Sequence, residues 1–308
     1  SSDLLVWRLY AMTRGMESDM KSENFNRTYS TIVNTVIVII EASLCLIVGA
    51  LPLVVVAFAV NNFDYWALYI VAAALSMPGM AALFAIFRDQ PTLLSMNASM
   101  RTQVWLDNES DPDFPPEWIA APYVYPDASV LFIKSYFKAY ARLFKRSLGI
   151  GVFYWFLVFC FGYDILIVLQ LSGGGFVVPM LVICILMALQ SMMVSLVLAV
   201  EYPKAKYVQL LKNGFLLSVR RIPVLLLTLV ALGGYAWALF TWTIPVLVFA
   251  SGIAAYVVWA CANWQASVLF SSMAMESGDK RIIDMYHATR NSAASKSSWF
   301  RGTKDYIS

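Results

Sequence analysis

Basic residues are excluded from three long blocks of this chain. Its 22 Lys and Arg residues lie within 1–27, 88–146, 204–221 and 280–308, leaving 28–87, 147–203 and 222–279 without a single one. A helix needs about 20 apolar residues to cross the hydrocarbon core of a bilayer, so each block has room for two passes and a short turn. The pattern predicts six transmembrane helices. Cytoplasmic loops carry the excess of Lys and Arg, which places the basic stretches and both termini inside and the three uncharged turns outside. The chain is 60% hydrophobic and 13% charged, which excludes an ordinary soluble enzyme. Runs such as Thr35–Ile40 and Leu51–Val60 are apolar without the alternation of a barrel strand, so the expected class is all-α, a polytopic helical membrane protein with amphipathic helices on its inner surface.

The passes are expected at about 32–60, 66–87, 148–171, 176–200, 222–240 and 244–270, the first with Pro52 inside it. The expected layout is a cytoplasmic N-terminal segment (1–30), a first hairpin (31–88), a cytoplasmic insertion (89–130), an amphipathic helix with a second hairpin (131–200), another with a third hairpin (201–270), and a cytoplasmic tail (271–308). Phe63, Tyr65, Trp66, Tyr163, Tyr235 and Trp242 fall where an outer aromatic belt belongs. The polar N-terminal segment mixes acids and bases, unlike a cleaved signal peptide. Cys45, Cys160, Cys184 and Cys261 are scattered one per apolar segment, and the single histidine, His287, lies in the tail. That spacing fits neither a disulfide framework nor a metal site, and no cofactor is expected.

In 131–146 the rings of Phe132, Tyr136 and Tyr140 recur every four residues, and Lys134, Lys138 and Arg142 recur likewise two positions later. On a helix the two sets are on opposite faces. Such a helix can lie on the inner membrane surface with its rings at the acyl boundary and its cations among headgroups, or it can extend the third pass inward. A related element spans 205–221, with Lys212, Arg220 and Arg221 and the apolar Leu210, Leu211, Phe215 and Leu216. Overlaying Lys138-Ala139-Tyr140 on Asn213-Gly214-Phe215 also aligns Lys145-Arg146 with Arg220-Arg221. That offset is consistent with a repeated unit of surface helix plus hairpin. The insertion mixes Asp107, Glu109, Asp111, Asp113 and Glu117 with Pro112, Pro115, Pro116, Pro122 and Pro126 and with Trp118, Tyr123 and Tyr125. It reads either as an ordered irregular cap or as a disordered linker. The Asn-x-Ser/Thr triplets at Asn26, Asn97 and Asn108 fall on the inner side and read as chance matches.

Two acids lie inside predicted passes, Glu41 and Asp164. With no basic residue in any pass, Glu41 is expected to be neutral and satisfied by hydrogen bonds, for which Gln190, Ser191, Asn263 and Gln265 lie at matching depth. Three readings of Glu41 stay open: polar glue between helices, a proton-linked polar cavity, or a face turned to lipid or a partner. Asp164 falls near the outer headgroups. No phosphate-binding glycine loop, metal spacing or activated nucleophile is present, so no enzymatic activity is expected, and nothing points to nucleic acid.

The run Met77-Pro78-Gly79-Met80-Ala81-Ala82-Leu83-Phe84-Ala85-Ile86-Phe87-Arg88-Asp89, followed by Phe137-Lys138-Ala139-Tyr140 and Lys145-Arg146-Ser147, resembles the YesL-like family of bacterial membrane proteins. The long Pro- and acid-rich insertion departs from that family's compact pattern. What the resemblance implies is an association with carbohydrate uptake: an accessory or regulatory membrane subunit of a sugar importer of the ABC type, contacting a permease or an ATPase. An independent small-solute transporter or channel is the alternative, and a membrane-bound enzyme a third. A continuous polar path would favour the transporter, and a sealed bundle with an exposed apolar lateral face the accessory subunit.

Overall fold

A computed structural model describes residues 32–33, 35–60, 62–89, 100–124, 132–171 and 174–286. The N-terminal segment to residue 31, the tail beyond residue 286 with His287, and the triplets at Asn26 and Asn97 lie outside the described residues. Within them the chain is helical and contains no strand. The helices are α1 (Thr35–Gly49), α2 (Leu51–Ala59), α3 (Trp66–Asp89), α4 (Met100–Asp107), α5 (Ile133–Val168), α6 (Val178–Glu201), α7 (Tyr207–Arg220), α8 (Ile222–Thr241), α9 (Thr243–Pro245), α10 (Ser251–Ser277) and α11 (Lys280–Met285). Five of them (α3, α5, α6, α8 and α10) lie in uninterrupted stretches long and apolar enough to cross a bilayer. The pair α1 and α2 makes a sixth only when taken together as one bent span, and with five or six such stretches the protein is an all-α polytopic membrane protein.

The first pass is not the straight crossing expected. It breaks at Ala50 and bends by 68° between α1 and α2. Pro52 sits in the first turn of α2, where its missing N–H and its ring exclude a continuous helix. Gly49 lies at the same point, packed on Gly79 of α3: a Cβ on Gly79 would come within 2.4 Å of the Gly49 Cα. Two glycines let the backbones touch, the close approach by which helices associate in lipid.

The inner half of α3 is the centre of the molecule. Ala81, Ala82, Leu83, Phe84, Ala85 and Ile86 have no exposed surface. Among helices α2 to α11 the most extensive pairing is α3 with α5, followed by α5 with α6 and α6 with α7. By contrast α8 turns Leu226, Val230, Trp237 and Phe240 outward, as lipid-facing side chains do, and Tyr65, Tyr163 and Trp242 are exposed at the end away from the basic residues. Trp66, Phe159 and Tyr163 stack there in series. All four cysteines are free thiols, with Cys45 and Cys261 buried.

The segment 131–146 does not form a separate surface helix. Residues from Ile133 onward belong to α5, a single 36-residue helix. Nor do its rings turn to lipid: Phe132 and Tyr136 are completely enclosed by protein, Tyr140 is half-buried, and Lys134, Lys138 and Arg142 are exposed. The periodicity of an amphipathic helix fixes which residues share a face but not what that face touches. Here α3 and α1 cover it, with the Tyr136 hydroxyl donating to the Gly79 carbonyl. The second element, α7, is separate from its pass, because the backbone turns at Arg221 and Pro223 stands in the first turn of α8. Its apolar side also meets protein: Leu210 and Leu217 are buried, and a Cβ on Gly214 would strike the Ser195 hydroxyl of α6. Lys212 and Arg220 are exposed and Phe215 lies outward.

From the insertion, residues 100–124 form an ordered cap. After α4 the chain is irregular, yet Phe114, Trp118, Ile119, Tyr123 and Val124 are buried against the bundle. Proline limits regular structure here without preventing packing.

Candidate functional site

Two helices that lead into the basic end finish in an acid, α3 in Asp89 and α6 in Glu201. Both are buried, with 4% and 2% of their surface exposed, and Arg88 between them is 8% exposed. A buried charge is tolerated only when paired and hydrogen-bonded, and here the pairing joins four parts of the chain. Arg88 donates through Nε to Asp89 Oδ1 at 2.9 Å, through Nη1 to Glu201 Oε2 at 3.4 Å and through Nη2 to the Ala121 carbonyl at 3.0 Å. Arg101, from α4, donates through Nη1 to Glu201 Oε1 at 2.5 Å and through Nη2 to the Ala120 carbonyl at 3.1 Å. The Tyr286 hydroxyl donates to the same Glu201 oxygen. Asp89 Oδ2 accepts from the backbone N–H groups of Tyr123 and Val124.

Two arginines thus balance two carboxylates. Burial by itself would weaken the Arg101 cation, but Glu201, then Tyr286 and Asp89, outweigh it and hold the guanidinium well above its ordinary value. Burial, reinforced by the Glu201 carboxylate, raises Tyr286 far above the phenol range, so it stays a hydrogen-bond donor at any physiological pH. Arg88 and Arg142 both lie over the Tyr123 ring, at 5.1 and 5.4 Å from its centroid. A second clamp closes the rim: Arg281 of α11 donates to Asp111 at 2.6 Å and Asp279 at 2.9 Å and lies over the Phe114 ring at 4.8 Å. Those hydrogen bonds hold both carboxyls below the ordinary carboxylate range. The arrangement is a closed electrostatic plug that fastens the cap and the C-terminal helix onto the bundle.

Sequence reasoning missed this plug. Its charges stand at the edges of the apolar blocks, where each reads as an ordinary loop residue. A signal existed in the abrupt ending of two apolar runs at Arg88-Asp89 and Glu201, but nothing local shows that they meet.

The residues grouped around Glu41 by depth do not assemble there. Glu41 is buried in α1, and its Oε1 accepts from the N–H groups of Phe132 and Ile133 at 2.6 and 2.8 Å. A carboxyl at this position satisfies orphan donors at the N-terminus of α5 and sits at the positive end of its dipole. Glu41 therefore joins the first hairpin to the second as a tertiary helix cap.

Gln190, Ser191 and Gln265 form a separate seam. Gln190 Nε2 donates to Gln265 Oε1 at 2.7 Å, Gln265 Nε2 reaches the carbonyls of Ser218 and Arg221, and Ser191 pairs with Ser218 at 2.7 Å. Gln190 and Gln265 are 75 residues apart, the same interval as the offset between the two aligned stretches of sequence. Asn263 stays out of the seam and lines a groove beside Trp259 and Trp264. Asp164 is exposed near the outer end of α5. No protein-family model, curated protein or solved structure matches the chain.

Proposed function

We propose that this protein is an accessory or regulatory subunit, without transport or enzymatic activity of its own, of an ABC-type sugar importer in a bacterial cytoplasmic membrane. The observation that supports an accessory role over a conducting one is the closure of the bundle's basic end. The cap, α11 and the plug of Arg88, Asp89, Arg101 and Glu201 cover the inner ends of α3 and α6, and the helix interior above them is filled by apolar side chains such as Leu83, Phe84, Ile86, Met192 and Leu196. The link to sugar uptake rests on the likeness of residues 77–89 and 137–147 to the YesL-like proteins. In this reading the exposed apolar face of α8 meets a permease, or the cap and exposed Lys134, Lys138 and Lys212 meet an ATPase.

Both termini and the basic end lie in the cytoplasm in this proposal, because Lys and Arg concentrate there. Single cysteines at Asn62, Gly175 and Thr243, in a background without the native thiols, are expected to react with an impermeant thiol reagent from outside intact cells, since a side chain at 175 meets open space, and one at Asn108 only after permeabilisation. Reversal at any of these sites overturns the orientation.

Reconstituted by itself, the protein is expected to give no sugar flux above that of empty vesicles. A strain lacking it is expected to show altered sugar uptake or altered importer abundance. Robust flux through the isolated protein, abolished by Glu41→Gln, would instead establish the independent transporter.

A further inference from the structure

Beyond that role, we propose that the groove at the junction of α7, α8 and α10 binds the phosphate group of an anionic phospholipid. The groove has a volume of about 290 Å³ and is lined by Arg221, Trp259, Asn263, Trp264 and Ser267. That is the low end of the size range of ligand sites, roughly 300–1,000 Å³, and suits a headgroup better than a large solute.

Its polar groups are placed for an anion. The backbone turn at Arg221 lifts this residue out of both neighbouring helices. Its Nη1 donates to the Trp264 carbonyl at 2.6 Å and its guanidinium lies 5.2 Å from the centre of the Trp264 ring, which fixes the fork while its other N–H groups remain to meet a ligand. Planar, bidentate recognition of phosphate is what a guanidinium held in this way does best. Among the described residues Arg221 faces no carboxylate. Burial, then the adjacent Arg220 cation, hold it below its ordinary value. The Asn263 amide, which also lines the small crevice beside Arg88 and Glu201, makes no hydrogen bond among the described residues and can donate within the same groove.

A lipid fits better than free phosphate because the site opens onto apolar surface. Trp264 is 55% exposed beside the guanidinium, as an interfacial aromatic is, and Ile222, Leu226 and Val230, spaced four apart on one face of α8, are exposed from Arg221 onward. The polar end of the ligand would lie on Arg221 and Asn263 and its acyl chains along α8.

Native mass spectrometry of the full chain in neutral detergent, titrated with phosphatidylglycerol or phosphatidylcholine, tests the site. One phosphatidylglycerol is expected to be retained in preference to phosphatidylcholine. Arg221→Gln and Asn263→Leu are each expected to weaken it by roughly 10-fold, the scale of a charge-assisted hydrogen bond, whereas Lys138→Gln, an exposed cation elsewhere, is expected to leave it unchanged. Equal retention of the two lipids, insensitivity to both groove variants, or an equal loss with Lys138→Gln overturns the proposal. Displacement of the lipid by millimolar inorganic phosphate reassigns the groove to a soluble anion and overturns the lipid assignment.

Discussion

Glu201→Gln is expected to destabilise the protein by about 3–5 kcal/mol, the cost of removing one partner from a buried ion pair. Glu201 accepts from Arg88, Arg101 and Tyr286 at once. The glutamine keeps the shape but leaves two buried guanidinium groups with Asp89 as the remaining carboxylate of the cluster. The double variant Arg101→Met with Glu201→Leu removes one charge of each sign and fills the space with apolar atoms, so it is expected to be less harmful than the single one. Thermal unfolding of the full chain in one detergent, with protease susceptibility of residues 100–124 read in parallel, checks both. A single variant within about 0.5 kcal/mol of the parent, the range of an ordinary surface substitution, would mean that packing rather than the ion cluster holds the cap in place.

Gly79→Ala is expected to cost about 1–3 kcal/mol, the range for overpacking a filled interior, although it adds a single methyl group. The new Cβ would lie 2.4 Å from the Gly49 Cα and 2.7 Å from the Gly49 carbonyl oxygen. Backbone atoms cannot rotate out of the way, so α1 and α3 must separate, and with them the Tyr136 hydrogen bond to the Gly79 carbonyl. Gly233→Ala is the matched control. It lies within α8 with open space around the added group, and glycine in a helix interior is less favourable than alanine by roughly 0.5–1 kcal/mol. The same chemical change should therefore be neutral or stabilising at 233 and harmful at 79. Equal effects in unfolding measurements would show that the crossing at Gly49 is not a tight contact.

The two expectations differ in how they are written along the chain. Gly49 and Gly79 are 30 positions apart and neither stands in a motif that marks a helix crossing. The partners of Glu201 come from residues 88, 101 and 286, each in a stretch of different composition. A residue's charge and its distance from an apolar block can be read directly, whereas its neighbours across the fold cannot.

What the sequence by itself determined is the class and the longitudinal plan. Hydrocarbon admits only backbone that satisfies its own hydrogen bonds and excludes unpaired cations, so three basic-free blocks require paired helices with charges at their ends. The observed helices 66–89, 178–201 and 222–241 lie within a few residues of those expected. Two finer points, not drawn from the sequence, have a local stereochemical cause: Pro52 stands in the first turn after the break in the first pass and Pro223 in the first turn of α8. Lateral arrangement was left to the tertiary structure. Depth in the membrane is one coordinate, and it grouped Glu41 with Gln190, Ser191, Asn263 and Gln265, which share that depth. Only the packing of α1 on α5 gave Glu41 its place at a helix N-terminus, and only the packing of α6 on α10 paired the glutamines. The rings of Phe132 and Tyr136 show the same division. Their spacing required one apolar face, but in a membrane protein both lipid and protein interior can cover such a face, and the glycine contact between α1 and α3 beside Tyr136 decided for protein.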